Sequence, residues 1–469
     1  MKRFIVISIL IFWLLKLSSQ NPLWAQYGNN NSVSNHVTEM FVDPIDNKLY
    51  VGGIFTYLGG VKCRGSAKWN GTNWDSLGAG FDSHSPTNFT DNVKKILRYN
   101  NKIYYFGTFE RAGNYFTKGM ATWNPFTNNW DSTGAYPNGY VNDADIYNDT
   151  LYICGSFTKI GTVNTYYAAK FDGTTWYPMS FPYPAGGAIY HIRAYKNKVY
   201  GAGAFYTNGF SLTAEFTQQD GWKPSLGVQG DMNKGLFGLE RIDTLLYFYG
   251  RFTHLSYMYS PCVAAYSGTK LYGFGAGTGL NSYSTIQNIK KIDNTVYALG
   301  TFDNAGGMTI PVNNLGVAEL HNNQWCIYGQ SFDNVVADMV KYNGDRLIAG
   351  SFNAVDGDSV RKVAKWIGGN YTYSCSPYSM SVSGIQDQNS EFYNVKIYPN
   401  PINDILNLEF SIYEHILKLE VSNSLGQIVY SLDNPNSKQE LNLSFLASGI
   451  YYLKVQNISE QKVFKVVKE

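Results

Sequence analysis

The chain is predicted to be all-β, and three observations carry that prediction. The stretch "LYVGGIF" at 49–55 sets glycines inside a run of strand formers, and its ending, Gly-x-Phe, recurs until the motif has appeared seven times. Tyr, Phe, Trp, Gly, Asn and Thr dominate the composition, and no long stretch has the 3.6-residue apolar spacing of a helix. Beyond Cys375 the text changes, first to a serine-rich stretch and then to short alternating segments separated by Pro, Asn and Gly.

The recurrences end at Phe55, Phe109, Phe157, Phe205, Phe252, Phe302 and Phe352, spaced by 54, 48, 48, 47, 50 and 50 residues. A period of about 50 accommodates four short strands with their turns, the content of one propeller blade. The second unit reads "NVKKILRY", "KIYYFGTF", "GMATWNP" and "NNWDSTGA", one strand each. Its last two strands carry a pair of aromatics, as do those of other units: Trp69 and Trp74, Trp123 and Trp130, Phe171 and Trp176, Phe216 and Trp222. The "NG", "DG" and "SG" turns between such pairs supply the positive backbone angles of a tight hairpin. Seven units give a seven-bladed β-propeller of four-stranded blades. The recurring glycine is expected to let the backbone leave the blade without a Cβ clash, and the phenylalanine to pack between blades. Because "HVTEMFV" and "NYTYSC" complete the first and last units, the ends are expected to meet without exchanging a strand.

The start, "MKRFIVISILIFWLLKLSSQNPLWAQ", has a basic tip, an apolar stretch from Phe4 to Leu15 and a polar segment ending at Ala25. It reads as a signal peptide over residues 1–25, since the apolar part is shorter than the roughly 20 residues of a spanning helix. The propeller then occupies 26–375, an exposed linker 376–394, and a small C-terminal β-sandwich 395–469. No transmembrane segment is expected in the mature chain. Lys2, Arg3 and Lys16 lie in the leader, so the 37 basic and 35 acidic residues leave the rest near neutral, without a basic stripe. Nucleic acid is excluded as a partner on that ground. Five scattered cysteines without a CxxC pair form no disulfide framework: most read as small apolar fillers, and export allows two of them to pair, with sequence leaving open which.

These repeats resemble kelch-type blades, and more closely the "GGxFTxxGG" repeats of exported bacterial proteins and fungal cortical polarity markers. Only the first unit keeps the double glycine, Gly52 and Gly53. The tail resembles the C-terminal sorting domain of type IX secretion substrates of the Bacteroidota. The matching residues are Tyr398-Pro399-Asn400-Pro401, Asp404 to Leu408, Leu425-Gly426 and Ser448-Gly449-Ile450-Tyr451, followed by a lysine-rich last strand. That resemblance implies passage through the periplasm, engagement of the type IX machinery and delivery to the cell surface or the medium. Five Asp-Ser/Thr-apolar steps, beginning at Asp75, Asp131, Asp149, Asp243 and Asp358, resemble the O-glycosylation sequence of such proteins; the same residues also open strands after turns.

Catalytic signatures are missing. The chain has no sialidase Asp-box, no Gly-x-Ser-x-Gly elbow, no HxH pair and no EF-hand loop, and His191, His254 and His321 fall at different blade positions. No catalytic residue, metal or cofactor is assigned. Aligning the first strands back from Gly-x-Phe brings Glu39, Lys95, Asp143, His191, Gly238, Asn288 and Asp338 to one repeat position. First strands line a propeller's channel, so these residues are the candidate ligand-binding ring at its mouth. Folding is expected to rest on the apolar strand faces, so that alanine at Asp143, His191 and Asp338 spares it. The function read from this is an exported binding module for a glycan or protein ligand; the alternative is a polysaccharide-active hydrolase or lyase at the same mouth.

Overall fold

The computed structural model describes residues 23–28, 35–82, 92–132, 134–181, 188–204, 212–229, 235–256, 258–274, 285–302, 304–305, 308–309, 316–321, 324–328, 331–368, 374–375, 381–383, 396–409, 416–433, 435–436, 438–457 and 461–469. They form two compact units, 1–382 and 383–469. Phe205 and nearly all of the expected leader lie outside the described residues. Among the described residues no helix is long and apolar enough to cross a membrane.

The first unit is a propeller of seven antiparallel sheets, each with four strands in blade order. Blade two shows the pattern, with strands Val93–Tyr99, Lys102–Gly107, Met120–Asn124 and Asn129–Asp131. The first strands, among them His36–Val42, Val141–Tyr147 and Val336–Tyr342, touch one another in cyclic order, the last returning to the first. The turn between third and fourth strands is built as its residues predict. In "WNGTNW" Asn70 Oδ1 accepts the Thr72 and Asn73 N–H groups while Gly71 takes φ +105°, which a side chain would oppose.

Apolar burial lies between blades. Seven clusters each combine side chains of two adjacent blades, for example Leu97, Tyr99 and Phe106 of blade two with Val141, Leu151 and Ile153 of blade three. The phenylalanines at 55, 109, 157, 252, 302 and 352 are buried. The paired aromatics meet edge to face across the third and fourth strands, with ring centroids 5.1 Å apart for Trp69 and Trp74 and 5.2 Å for Trp123 and Trp130. The fourth-strand tryptophan also reaches back a blade, since Trp130 Nε1 donates to Leu77 O at 2.8 Å and Trp222 Nε1 to Met179 O at 2.6 Å.

Closure differs from the expectation. The fourth strand of blade seven is Trp24–Gln26, paired antiparallel with Val363–Trp366 so that Trp24 faces Trp366. Trp24 is 1% exposed and packs on Trp366 at 4.9 Å, standing where Trp74 and Trp130 stand in their blades. The ends therefore do exchange a strand, because blade seven lacks its own fourth-strand tryptophan and the N-terminal segment supplies it. This strand lies across the expected leader boundary at Ala25. Of the "NYTYSC" segment only Ser374–Cys375 lies within the described residues, and it adds a fifth strand to blade six, with Cys375 opposite Cys326; Ser381–Ser383, within the expected linker, adds a fifth strand to blade five. Cys326 is disulfide-bonded, whereas Cys63, Cys154 and Cys262 are buried thiols.

The second unit packs a sheet of Lys396–Tyr398, Ile405–Glu409 and Lys438–Asn442 against one of Ile428–Asp433, Ile416–Ser422, Gly449–Asn457 and Gln461–Lys468. Leu406, Leu408 and Leu441 of one meet Leu419, Val421, Leu453 and Val455 of the other in a separate core.

Candidate functional site

Every first strand carries a β-bulge at one repeat position, and the bulge sets the channel mouth. In blade one Val37 pairs with Gly53 and Glu39 with Gly52, leaving Thr38 unmatched; in blade two Lys94 is skipped in the same way. Asn142, Tyr190, Phe237, Gln287 and Ala337 are the skipped residues of blades three to seven. A bulge puts two successive side chains on the side of the sheet that would otherwise receive one.

The glycine of Gly-x-Phe is the bulge's partner. In blades two and three a Cβ on Gly107 or Gly155 would lie 2.0 Å from Asn92 O or 2.1 Å from Tyr140 O, the carbonyls that the bulge drives toward the second strand. The same approach recurs at Gly53, Gly300 and Gly350. The glycine thus makes room for a carbonyl at the entry to the first strand, where an exit from the blade was expected.

A cavity of about 410 Å³ opens at this level. Its lining includes Glu39, Lys95, Asp143, His191 and Asn288 from the expected ring, together with all seven bulge residues. Gly238 contributes no side chain, and Tyr249 fills its place, the ring lying 2.0 Å from where a Gly238 Cβ would be. Asp338 lies beneath the cavity, fully buried. Of the other histidines, His254 packs on Tyr259 in a small hairpin and His321 ends a third strand in blade six.

Ion pairs link the charged residues of the cavity wall and those beneath it. Lys95 Nζ is 3.3 Å from Glu39, Arg193 bridges Asp143 at 2.5 Å and Glu240 at 3.1 Å, and Lys290 lies 3.1 Å from Asp338. Burial alone would raise the Asp143 carboxyl, but Arg193 and then His191, whose Nδ1 is 3.7 Å away, hold it well below the usual carboxylate range. Glu39 moves the other way, lifted by burial despite Lys95. Two of these carboxylates also tie blades together. Asp143 accepts the Ile192 N–H of blade four at 3.1 Å, and Asp338 accepts the Met40 N–H of blade one at 2.6 Å. Each carboxylate thus satisfies a buried amide of the next blade, so alanine at Asp143 or Asp338 is expected to cost stability beyond what the apolar strand faces supply. Among the described residues no three His, Cys, Asp or Glu side chains are grouped as metal ligands.

The bulge residues escaped the sequence reading, although a signal for them exists. Each first strand reads apolar-x-x-apolar, as in Val93-Lys94-Lys95-Ile96 and Ile286-Gln287-Asn288-Ile289, which breaks the strand alternation by one residue.

In the tail, the motif residues hold the last strand. Asn400 accepts the Val467 N–H at 2.9 Å and donates to Lys465 O at 2.8 Å, between two prolines, Pro399 and Pro401, whose preceding peptide bonds are cis. Gly426 takes φ +81° in the turn capped by Asn423, and Tyr451 Oη, two residues after Gly449, donates to Ala447 O at 2.9 Å.

A family model described as the secretion system C-terminal sorting domain matches residues 396–469. No curated protein matches the chain. Among solved structures, PorZ, a surface component of the type IX secretion system of Porphyromonas gingivalis, aligns at 11% identity and TM-score 0.33 over 92% of this chain, which spans 65% of the PorZ chain's length. YjhT aligns at 13% identity and TM-score 0.35, covering 74% of this chain and 99% of its own, and the Neurospora crassa Pan2 WD40 domain at 10% and 0.37, covering 72% and 90%. All three scores lie below 0.5, and the blade count rests on the strand order described above. With the tail match, the chain is a seven-bladed propeller that carries a secretion-system C-terminal sorting domain and is exported to the cell surface or the medium.

Proposed function

We propose that the chain is a binding module, delivered by the type IX machinery after removal of an N-terminal leader, whose propeller holds a glycan or protein ligand at the channel mouth. The observation that carries this reading is the double ring. The bulges turn a second set of side chains into a cavity of about 410 Å³, within the range of small-ligand sites. Its carboxylates are consumed by cations of the ring, so amide, phenol, ammonium and imidazole groups remain to meet a ligand. Pairing of Trp24–Gln26 with blade seven favours a leader that ends before Leu23 over one that ends at Ala25. The test is a glycan and protein array probed with the secreted propeller, followed by Tyr190→Ala and His191→Ala. Loss of the captured ligand in both variants is expected, and unchanged affinity in both would move the site to the outer loops.

A hydrolase or lyase acting on polysaccharide is the second reading. It is favoured by Glu39, Asp143 and His191 lining one cavity and by the raised Glu39 carboxyl, a combination found at catalytic sites. New reducing ends or unsaturated products from an array-positive glycan, lost in Glu39→Gln, would replace binding with catalysis.

A further inference from the structure

We propose that the channel mouth selects an acidic polysaccharide end, a uronic-acid residue whose carboxylate is received by Lys94. The proposal rests on the mouth being the ligand site, and it adds the chemical class of the ligand.

The charges of the mouth are not all paired at short range: Arg193 alone spans two carboxylates, Asp143 at 2.5 Å and Glu240 at 3.1 Å. Glu39 has Lys95 at 3.3 Å, Asp143 has Arg193 at 2.5 Å, and Asp338 below them has Lys290 at 3.1 Å. Lys94 lines the same cavity, and among the described residues no carboxylate lies within ion-pair distance of it. Desolvation alone lowers its pKa, with no anion opposing the shift. The bulge places it there: it is the residue skipped between Val93 and Lys95, with an exposed side chain where strict alternation would have aimed it into the blade interface. An ammonium with no carboxylate at ion-pair distance, inside a concave polar site, favours an anion, and partial exclusion of water strengthens that preference.

The neighbours favour a sugar over a peptide as the carrier of that anion. Tyr190 is 42% exposed, and Phe237, in the next blade, is only partly buried; both stand at bulge positions on the cavity wall. Their rings offer flat apolar faces to the C–H face of a pyranose. Asn142, whose Nδ2 donates to Ile189 O at 3.3 Å, and Gln287, also bulge residues on the wall, bring amide oxygens that accept from ring hydroxyls. The volume suits a chain end or a short oligosaccharide, not a folded protein surface.

The test uses the full secreted chain in calorimetric titrations with galacturonate, glucuronate and mannuronate trisaccharides, each beside its neutral methyl ester, and with a glutamate-rich peptide. At least one acid is expected to bind about tenfold tighter than its ester. Lys94→Gln should remove that difference while leaving the ester's affinity unchanged, and Lys94→Arg should restore it. Equal binding of acid and ester, both lost in Tyr190→Ala, overturns the acidic specificity but keeps the mouth as the site. Binding untouched by Tyr190→Ala, His191→Ala and Lys94→Gln overturns both. Lys94-dependent binding of the peptide alone, or no binding of any uronate, overturns the proposal.

Discussion

At the scale of single residues, the glycine of Gly-x-Phe and the bulge opposite it form one device, and each is explained by the other. Gly107→Ala should lower stability by about 1–3 kcal/mol in urea unfolding, since its Cβ would meet Asn92 O at 2.0 Å. Gly227→Ala, with nothing within 4 Å, should be neutral to slightly stabilising. If both behave alike, the close approach is not what requires glycine. The buried acids divide similarly. Asp338→Ala leaves the Met40 amide and the Lys290 ammonium without their shared partner and should cost about 3–5 kcal/mol, whereas His191→Ala, with a single contact at 3.7 Å, should cost under about 1. Glu319, on the third strand of blade six, is pushed up to about 7 by burial, against the pull of Arg346 and a hydrogen bond with Tyr297. The folded state therefore holds a proton that the unfolded state has released between roughly pH 4.5 and 7. Stability from this group falls as pH rises through that window, so Glu319→Gln should stabilise the protein at pH 8 and make no difference at pH 4. A mutant effect independent of pH would contradict this account.

At the scale of elements, the closing strand is the least obvious part. Trp24 sits among Trp366, Tyr328 and Phe332 with 1% of its surface exposed. Trp24→Ala should cost about 3–5 kcal/mol, and a chain beginning at Gln26 should lose as much and leave blade seven with a bare third strand. N-terminal sequencing of the exported protein should find a start at or before Leu23. A native start at Gln26 would mean that closure does not use this strand. The second and third strands were legible because their glycines, aromatics and turn residues act on neighbours a few positions away. The fourth strand of blade seven was not, because its partner lies some 340 residues along the chain.

For the whole molecule, two separate cores imply separable folding. The propeller keeps its apolar clusters within 23–364 and the tail keeps its own from Ile397 to Val466. Deleting 395–469 should leave the propeller with an unchanged melting temperature but trapped in the periplasm. Normal appearance of the truncated protein outside the cell would show that the tail is not the export signal. Fractionation and immunoblotting decide between these outcomes.

The sequence by itself determined the all-β class, the sevenfold repeat, the second and third strands with their turns in each unit and the sorting tail. All of these follow from residues close in the chain: a hairpin needs its glycine, an aromatic pair needs its turn, and a period needs only counting. It also brought Glu39, Lys95, Asp143, His191 and Asn288 to one repeat position, which the structure places around one cavity. Tertiary structure alone decided which strand closes the ring, that Cys326 is disulfide-bonded with Cys375 opposite it, and which charged groups are consumed by others. Lys94 and Lys95 are adjacent and identical in sequence. One neutralises Glu39 of the neighbouring blade and the other faces the cavity, because a bulge turns both side chains to one side and only one of them reaches a carboxylate.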